Sequence, residues 1–392
     1  MMWVSLLLVL GCTPKVYTPP PPAEPLGLAS SEGDGWGILE QASTLSDVSV
    51  RQRANYFLVR FWHEEGGGSW AQRGLHDPNP YVQRRSIEAL AERIHEPTSL
   101  ALLNSFAQRE SADPYSRGKA ALYLAQAKAY ESLPSLVIYL QSEAHHSEHA
   151  PIALAAHMMG DSSALSILIE AIKRGDFPLE VDFFLDCAAA NSPDLAKALE
   201  EGLMFLEEEL HLAVASSLIH LNSKKGVDLF EAALFDDNIE RQHEALDFLT
   251  ELHTPESLAL LHKATRRSAP TAAKHARIVL EARNDNFPVA SSEALNSIDR
   301  EERKLGLQTL LHWASRHSNQ KRSIQKIRKS ALSVIADLET SVQKEALKLL
   351  GYTGLPKDKT QIEAFLNSEN PSLRVEAAGA LFTLEARATS EP

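Results

Sequence analysis

From about residue 38 to residue 388 the apolar positions recur at spacings of three and four, as in Ile87, Leu90, Ala91 and Ile94. That is the period of a helix with one buried face, not the alternation of a strand. Runs of β-branched residues are rare over this stretch, so the predicted elements are all helices. Short polar turns interrupt them at a nearly constant interval, which points to an internal repeat rather than to two or three globular domains.

The unit is clearest in three places. Asp47-x-x-Val50-Arg51-x-x-Ala54-x-x-Phe57-Leu58, Asn79-x-x-Val82-Gln83-x-x-Ser86-x-x-Ala89-Leu90 and Asn370-x-x-Leu373-Arg374-x-x-Ala377-x-x-Ala380-Leu381 share one frame. Taking the central residue as an anchor extends it to Ala54, Ser86, Ala120, Ala153, Phe183, Val214, His243, Ala276, Gly306, Ala346 and Ala377. The intervals run from 29 to 34 residues, apart from one of 40 between Gly306 and Ala346. Seven residues before nine of these anchors stands Asp, Glu or Asn, from Asp47 to Asn370; His146 and Ala269 are the exceptions. Such a residue accepts hydrogen bonds from the free N–H groups at a helix start, so it marks the turn into the second helix of each unit. The Arg four residues later, as in Arg51, Arg117, Arg303 and Arg374, is expected to pair with an acid of its own or the next unit and tie the turns into a ladder.

This arrangement resembles HEAT repeats, and in particular the short repeats of about 30 residues in phycobilisome-lyase-type proteins. The resemblance implies an all-α fold, an α-solenoid of about eleven HEAT-like helix pairs over residues 38–388, with a short tail at 389–392. It also implies that second helices line a concave face that binds proteins, with no shared catalytic residues. Arg84, Arg85, Glu88 and Lys119 are expected on that surface. Tyr56, Phe57, Phe61, Trp62 and Trp70 crowd the first unit, where they are expected to cap the solenoid or to anchor a peptide.

Ahead of the repeats, Trp3 to Leu10 is an apolar run too short to span a bilayer and of signal-peptide length. Val9-Leu10-Gly11-Cys12 resembles a bacterial lipobox, although no Lys or Arg precedes the run and Leu10 is bulky for its place. The resemblance implies a signal peptide at 1–11 and a lipid on Cys12. Residues 12–37, rich in Pro and Gly, then read as an extended tether. The implied location is the bacterial cell envelope, anchored by the N-terminal lipid at the outer membrane.

Charge alters the picture in one respect. The net charge of −13 argues against general nucleic-acid binding, and two cysteines exclude a disulfide framework or a four-cysteine metal site. The charge is unevenly spread: residues 161–261 carry 21 acids and 6 bases, whereas residues 262–348 carry 17 bases and 9 acids. The bases are densest at Arg316, Lys321, Arg322, Lys326, Arg328 and Lys329, inside the long interval. They form either a solvated helix face or a docking site for an acidic partner or anionic lipid headgroups.

Candidate chemistry is sparse. His145-x-x-Glu148-His149 matches the pattern of inverted zincins, in which two histidines bind zinc and a glutamate is the base. In the repeat frame these residues fall at a turn, which puts His145 ahead of the helix that carries His149, so no metal or other cofactor is assigned. Gly66-Gly67-Gly68 lacks the strand and the Gly-Lys-Ser/Thr of a phosphate loop and reads as a connection. Cys187 reads as a small buried hydrophobe. The sequence therefore points to a non-catalytic scaffold for other envelope proteins. Its rivals are an enzyme, either a zinc hydrolase using His145, Glu148 and His149 or a lyase, and a purely structural spacer.

Overall fold

The structure, a computed structural model, describes residues 35–62, 67–141, 150–174, 181–284 and 286–390. Twenty-two α-helices and a few 3-10 turns make up the regular structure, and there is no strand among the described residues. The helices form eleven successive pairs. The second helices are α2 (Val48–Arg60), α4 (Pro80–Ala91), α6 (Pro114–Gln126), α8 (Ala150–Met158), α10 (Val181–Cys187), α12 (His211–His220), α14 (Ile239–Glu251), α16 (Pro270–Ala282), α18 (Arg300–Arg316), α20 (Thr340–Thr353) and α22 (Pro371–Ser390). Each packs against the next, apart from α8 and α10, whose connection includes residues outside the description.

All eleven anchors lie on second helices, and ten are buried. Small residues are needed there because backbones come close: a Cβ on Gly306 would sit 2.6 Å from the carbonyl oxygen of Ser291 on the neighbouring first helix. His243 is the exception, because the seventh unit begins two residues later than its acids suggest. Asn238, not Asp236, caps α14 by accepting from the Glu240 amide at 2.9 Å, and Asp236 instead accepts from the Asn238 amide. Ala245, seven residues after Asn238, is the buried small residue. Elsewhere Asp47, Asn79, Asp113, Asp299 and Asn370 cap as the frame requires, each worth about 1 kcal/mol. Glu207, Ala269 and Glu339 make no side-chain cap.

The turn ladder is present at two rungs. Arg51 donates through Nε and Nη2 to Asp77 of the next unit at 2.8 and 3.2 Å, and Arg303 does the same to Asp337 at 2.8 and 3.1 Å. The accepting acid stands two residues before the cap, and its carboxylate also braces the cap amide. Arg117 departs from this pattern: it is buried, donates to the Ala107 carbonyl and lies over the Tyr139 ring. Arg374 stays within its own turn, on the Ser368 carbonyl.

The array closes on itself. α1 (Gly35–Ala42) and α2 pack on α22, the relation that α3 (Gly67–Leu75) and α4 bear to α2. Phe382 meets Trp36 at 4.4 Å and Phe61 at 5.9 Å between ring centroids, and a Cβ on Gly379 would collide with the Phe57 ring. Arg53 donates to both carboxylate oxygens of Glu376 at 3.0 and 2.8 Å, 323 residues away. One apolar cluster contains Leu39 and Phe57 together with Ala377 and Leu384, so the core runs through the seam. The aromatic residues of the first unit are thus neither an end cap nor an exposed peptide site. Phe57, Phe61 and Trp36 weld the first unit to the eleventh, and Trp70, on α3 of the second pair, stacks on Trp36.

Three boundaries differ from expectation. Residues 35–37, assigned to the tether, begin α1, where Trp36 joins the seam. α22 extends to Ser390 rather than ending before 389. Gly67 and Gly68 open α3. The signal segment, Cys12, Gly66 and His145-x-x-Glu148-His149 lie outside the described residues.

Candidate functional site

The second helices face the inside of the ring. Lys119 on α6 and Asp186 on α10 meet directly across the inner side of α8, at 2.7 and 2.8 Å from the ammonium to the two carboxylate oxygens. Second neighbours converge in this way only on a concave side. The residue six positions after the turn anchors this inner stripe: Arg53, Arg85, Lys119, His275, Glu345 and Glu376 follow the caps of their helices at that distance. A polar residue at this place beside a small buried residue at the next is the sequence signal for the inner wall.

Between α6 and α10 the wall is closed. α8 is apolar around its whole circumference from Ala150 to Ala156, and all seven residues are buried. Gly118 lets α8 approach, since a Cβ there would lie 2.5 Å from Pro151. Lys119 and Asp186 then lie over the remaining face, 12 % and 20 % exposed, leaving about 10 Å³ of space beneath them. Burial lifts the Asp186 carboxyl to about 6 against the pull of the Lys119 ammonium. Burial likewise raises the neighbouring Tyr123 hydroxyl, with Glu88 and Asp186 adding to the effect. Cys187, next to Asp186, is fully buried and its thiol is pushed well up by burial, which makes it packing rather than a nucleophile.

Between α14 and α18 the wall opens into a groove of about 820 Å³. One helical stripe comes from each element: His243, Asp247 and Glu251 from α14, Thr271, His275 and Ile278 from α16, and Leu305, Gln308, Leu311 and His312 from α18. α16 is the floor, and among the described residues no side chain spans the gap. Lys304, the lone lysine of the lining, turns back to Glu301 at 3.6 Å, and Glu302 is held by Lys274 at 2.5 Å. The His243 and His275 rings lie 5.4 Å apart, and the Nε2 atoms of His243, His275 and His312 are buried without a hydrogen-bond partner. His275 Nε2 lies 3.4 Å from Asp247 Oδ1, close enough to attract but not aligned as a hydrogen bond. Burial lowers the His275 imidazole to about 4, with His243 adding to the shift, and it lowers His312 as well. The His275 and His312 rings are therefore neutral at pH 7. Among the described residues no group of three or more His, Cys, Asp or Glu side chains is placed to hold a metal ion.

The residues expected to bind partners separate into three groups. Arg84 is a correction: it is 8 % exposed, with its guanidinium 4.1 Å from the Tyr115 ring centroid and 5.0 Å from that of Tyr81, so it packs inside the wall. Arg328 is another, because its guanidinium is paired with the buried carboxylate of Asp358 and holds the α19 (Lys321–Val334) contact to the last pair. Lys119 is on the inner wall but engaged by Asp186. Arg85 is exposed there and pairs with Glu88 at 2.5 Å. Arg316, Lys321, Arg322, Lys326 and Lys329 are exposed, the last four along the face of α19 opposite Ile327 and Ala331. Lys326 sits over the Phe287 ring. The groove histidines were not anticipated. His243 stands at an anchor position of the repeat frame, and His275 and His312 are legible only once the inner stripe is known.

With this geometry in view, comparisons add a family for part of the chain. Residues 69–150 match the family model described as HEAT repeats. No curated protein matches. Among solved structures the chain is similar to an engineered protein at 16 % identity and a TM-score of 0.31, covering 90 % of this chain and 99 % of that one. It is similar to human deoxyhypusine hydroxylase in complex with glycerol at 13 % identity and a TM-score of 0.28, covering 90 % and 96 %. A structure from work on the interaction between cadherin and β-catenin follows at 13 % and 0.24, covering 89 % and 99 %. The matched stretch runs from α3 to the first residue of α8, and helix pairs of the same build continue on both sides of it.

Proposed function

We propose that the chain is a non-catalytic scaffold of the bacterial cell envelope, lipid-anchored through Cys12 at the outer membrane, whose HEAT ring recruits other envelope proteins. The observation that carries this reading is the inner row of polar side chains ending in an open groove of about 820 Å³, within the usual size range of ligand sites. A closed ring favours this use because neighbouring pairs brace one another, so a partner meets a preformed wall. The exposed bases of α19 offer a second face on the outside, suited to an acidic partner.

Affinity purification from solubilised membranes tests the reading with three proteins: wild type, Asp247→Lys with Glu251→Lys in the groove, and Lys321→Glu with Lys329→Glu on α19. Partners lost only from the first variant support docking on the inner wall, and partners lost only from the second support the basic face. The same partner list for all three proteins overturns the scaffold reading. Cys12→Ala is expected to move the chain from the membrane fraction to the soluble fraction, and unchanged fractionation overturns the lipid anchor.

A further inference from the structure

We propose that the groove between α14 and α18 takes an extended, cationic segment of a partner protein, one that presents Arg or Lys side chains to α14. The inference rests on the scaffold reading and names the chemistry of its partner.

Length comes first. The α14 side of the lining extends from His243 to Glu251, which at 1.5 Å per helical residue is about 12 Å. An extended chain of about four residues matches that length. The groove is open along its side, as a path for a continuous chain requires, with α16 as its floor.

Charge comes second. Asp247 and Glu251 stand one turn apart on the same face of α14 and have no salt bridge to Lys or Arg among the described residues. Asp299, Glu301 and Glu302 add acids at the other wall, and the lysines close to that wall, Lys304 and Lys274, are already engaged by Glu301 and Glu302. Arg283 and Arg316 act on Glu251 and His312 at one end of the groove, and along the rest of it a guanidinium or ammonium would find the Asp247 and Glu251 carboxylates at helix-turn spacing.

The histidines bear on the same recess. His243, His275 and His312 each bring a buried Nε2 with no partner to this same groove, and the His275 side chain is only 13 % exposed. Those Nε2 atoms are closed off from solvent, so the three rings bound the recess as part of its walls rather than offer these nitrogens to a ligand. The His275 and His312 rings, which burial keeps neutral at pH 7, add no positive charge that would repel a cation. Ile278, Leu305 and Leu311 provide an apolar strip for the methylene stems of Arg or Lys.

The test uses the full chain and a fluorescein-labelled hexa-arginine peptide, read by fluorescence anisotropy at pH 7.5, with hexa-citrulline as the uncharged control. Saturable binding of hexa-arginine, at least tenfold weaker in Asp247→Asn with Glu251→Gln, is expected. A matched neutralisation outside the groove, Glu207→Gln with Glu209→Gln, is expected to change affinity less than twofold. An equal loss in both variants would reduce the effect to non-specific attraction by a chain of net charge −13 and overturn the proposal, as would the absence of saturable binding. Should wild-type membranes still yield groove-dependent partners while hexa-arginine fails to bind, the cationic segment falls and the scaffold reading stands.

Discussion

Two arcs of one ring, built from the same repeat, reach opposite outcomes. Between α6 and α10 the inner wall is sealed and about 10 Å³ of space remains, whereas between α14 and α18 it opens by about 820 Å³. The difference lies in what each central helix offers and what its neighbours send across it. α8 is apolar on all sides and comes close against Gly118, so a single Lys119–Asp186 pair spans it. α16 shows Thr271 and His275 to the interior, and the nearest lysine, Lys304, is diverted to Glu301. A repeat position thus makes a wall or a site according to whether a long side chain bridges its second neighbours.

The contrast presupposes a closed ring, so the largest effect is expected at the seam. Arg53→Ala leaves the Glu376 carboxylate, 4 % exposed, without its partner, and a cost of about 3–5 kcal/mol is expected in urea unfolding. Small-angle scattering of the same variant should show a larger radius of gyration. A variant as stable and compact as wild type would mean that the seam does not hold the ring.

Next comes the bridge itself. Lys119→Ala exposes the inner face of α8 and strands Asp186, a partly exposed pair for which about 2–3 kcal/mol is expected. Lys119→Met with Asp186→Leu should fold within about 1 kcal/mol of wild type, because a well-packed apolar pair replaces a desolvated ionic one. If the single variant loses less than about 0.5 kcal/mol, sealing by this pair is not what distinguishes the arcs.

Acidification should act on the two arcs with opposite sign, and this is the smallest effect. In the open arc the folded His275 imidazole titrates near 4 and the unfolded one near 6.5, so from pH 7 to pH 5 the unfolded chain gains the proton first and about 2 kcal/mol is lost. In the closed arc the folded Asp186 carboxyl titrates near 6 and the unfolded one near 3.8, so over the same window the folded chain gains the proton first and about 1 kcal/mol is recovered. Wild type should therefore change little. His275→Gln should leave a net gain in stability at pH 5, and Asp186→Asn a net loss. Parallel pH profiles for the three proteins would remove the assigned asymmetry.

Much of the fold was legible from residues. The eleven anchors fall on eleven second helices because a helix start needs an acceptor and a close approach needs a small side chain, and both are local demands. The local rule failed where it was offered too many answers: Asp236, Asp237 and Asn238 all suit a cap, and Gln242, reaching back to the Asp236 carbonyl, selects the last. Arg84, expected on the surface, is buried for a related reason, since its guanidinium lies over the Tyr115 ring one unit away. The groove was not legible because its lining comes from three helices spread over more than 70 residues.

The amino-acid sequence by itself determined the helices, the pairs, their number and the small-residue contacts between neighbours, because each depends on groups within one or two units of one another. Only the tertiary structure decided that Phe57 meets Gly379, that Arg53 meets Glu376, and that Lys119 crosses α8 while no described side chain crosses α16. Those outcomes depend on the small rotation between successive pairs accumulating over eleven units, and no local pattern encodes that sum.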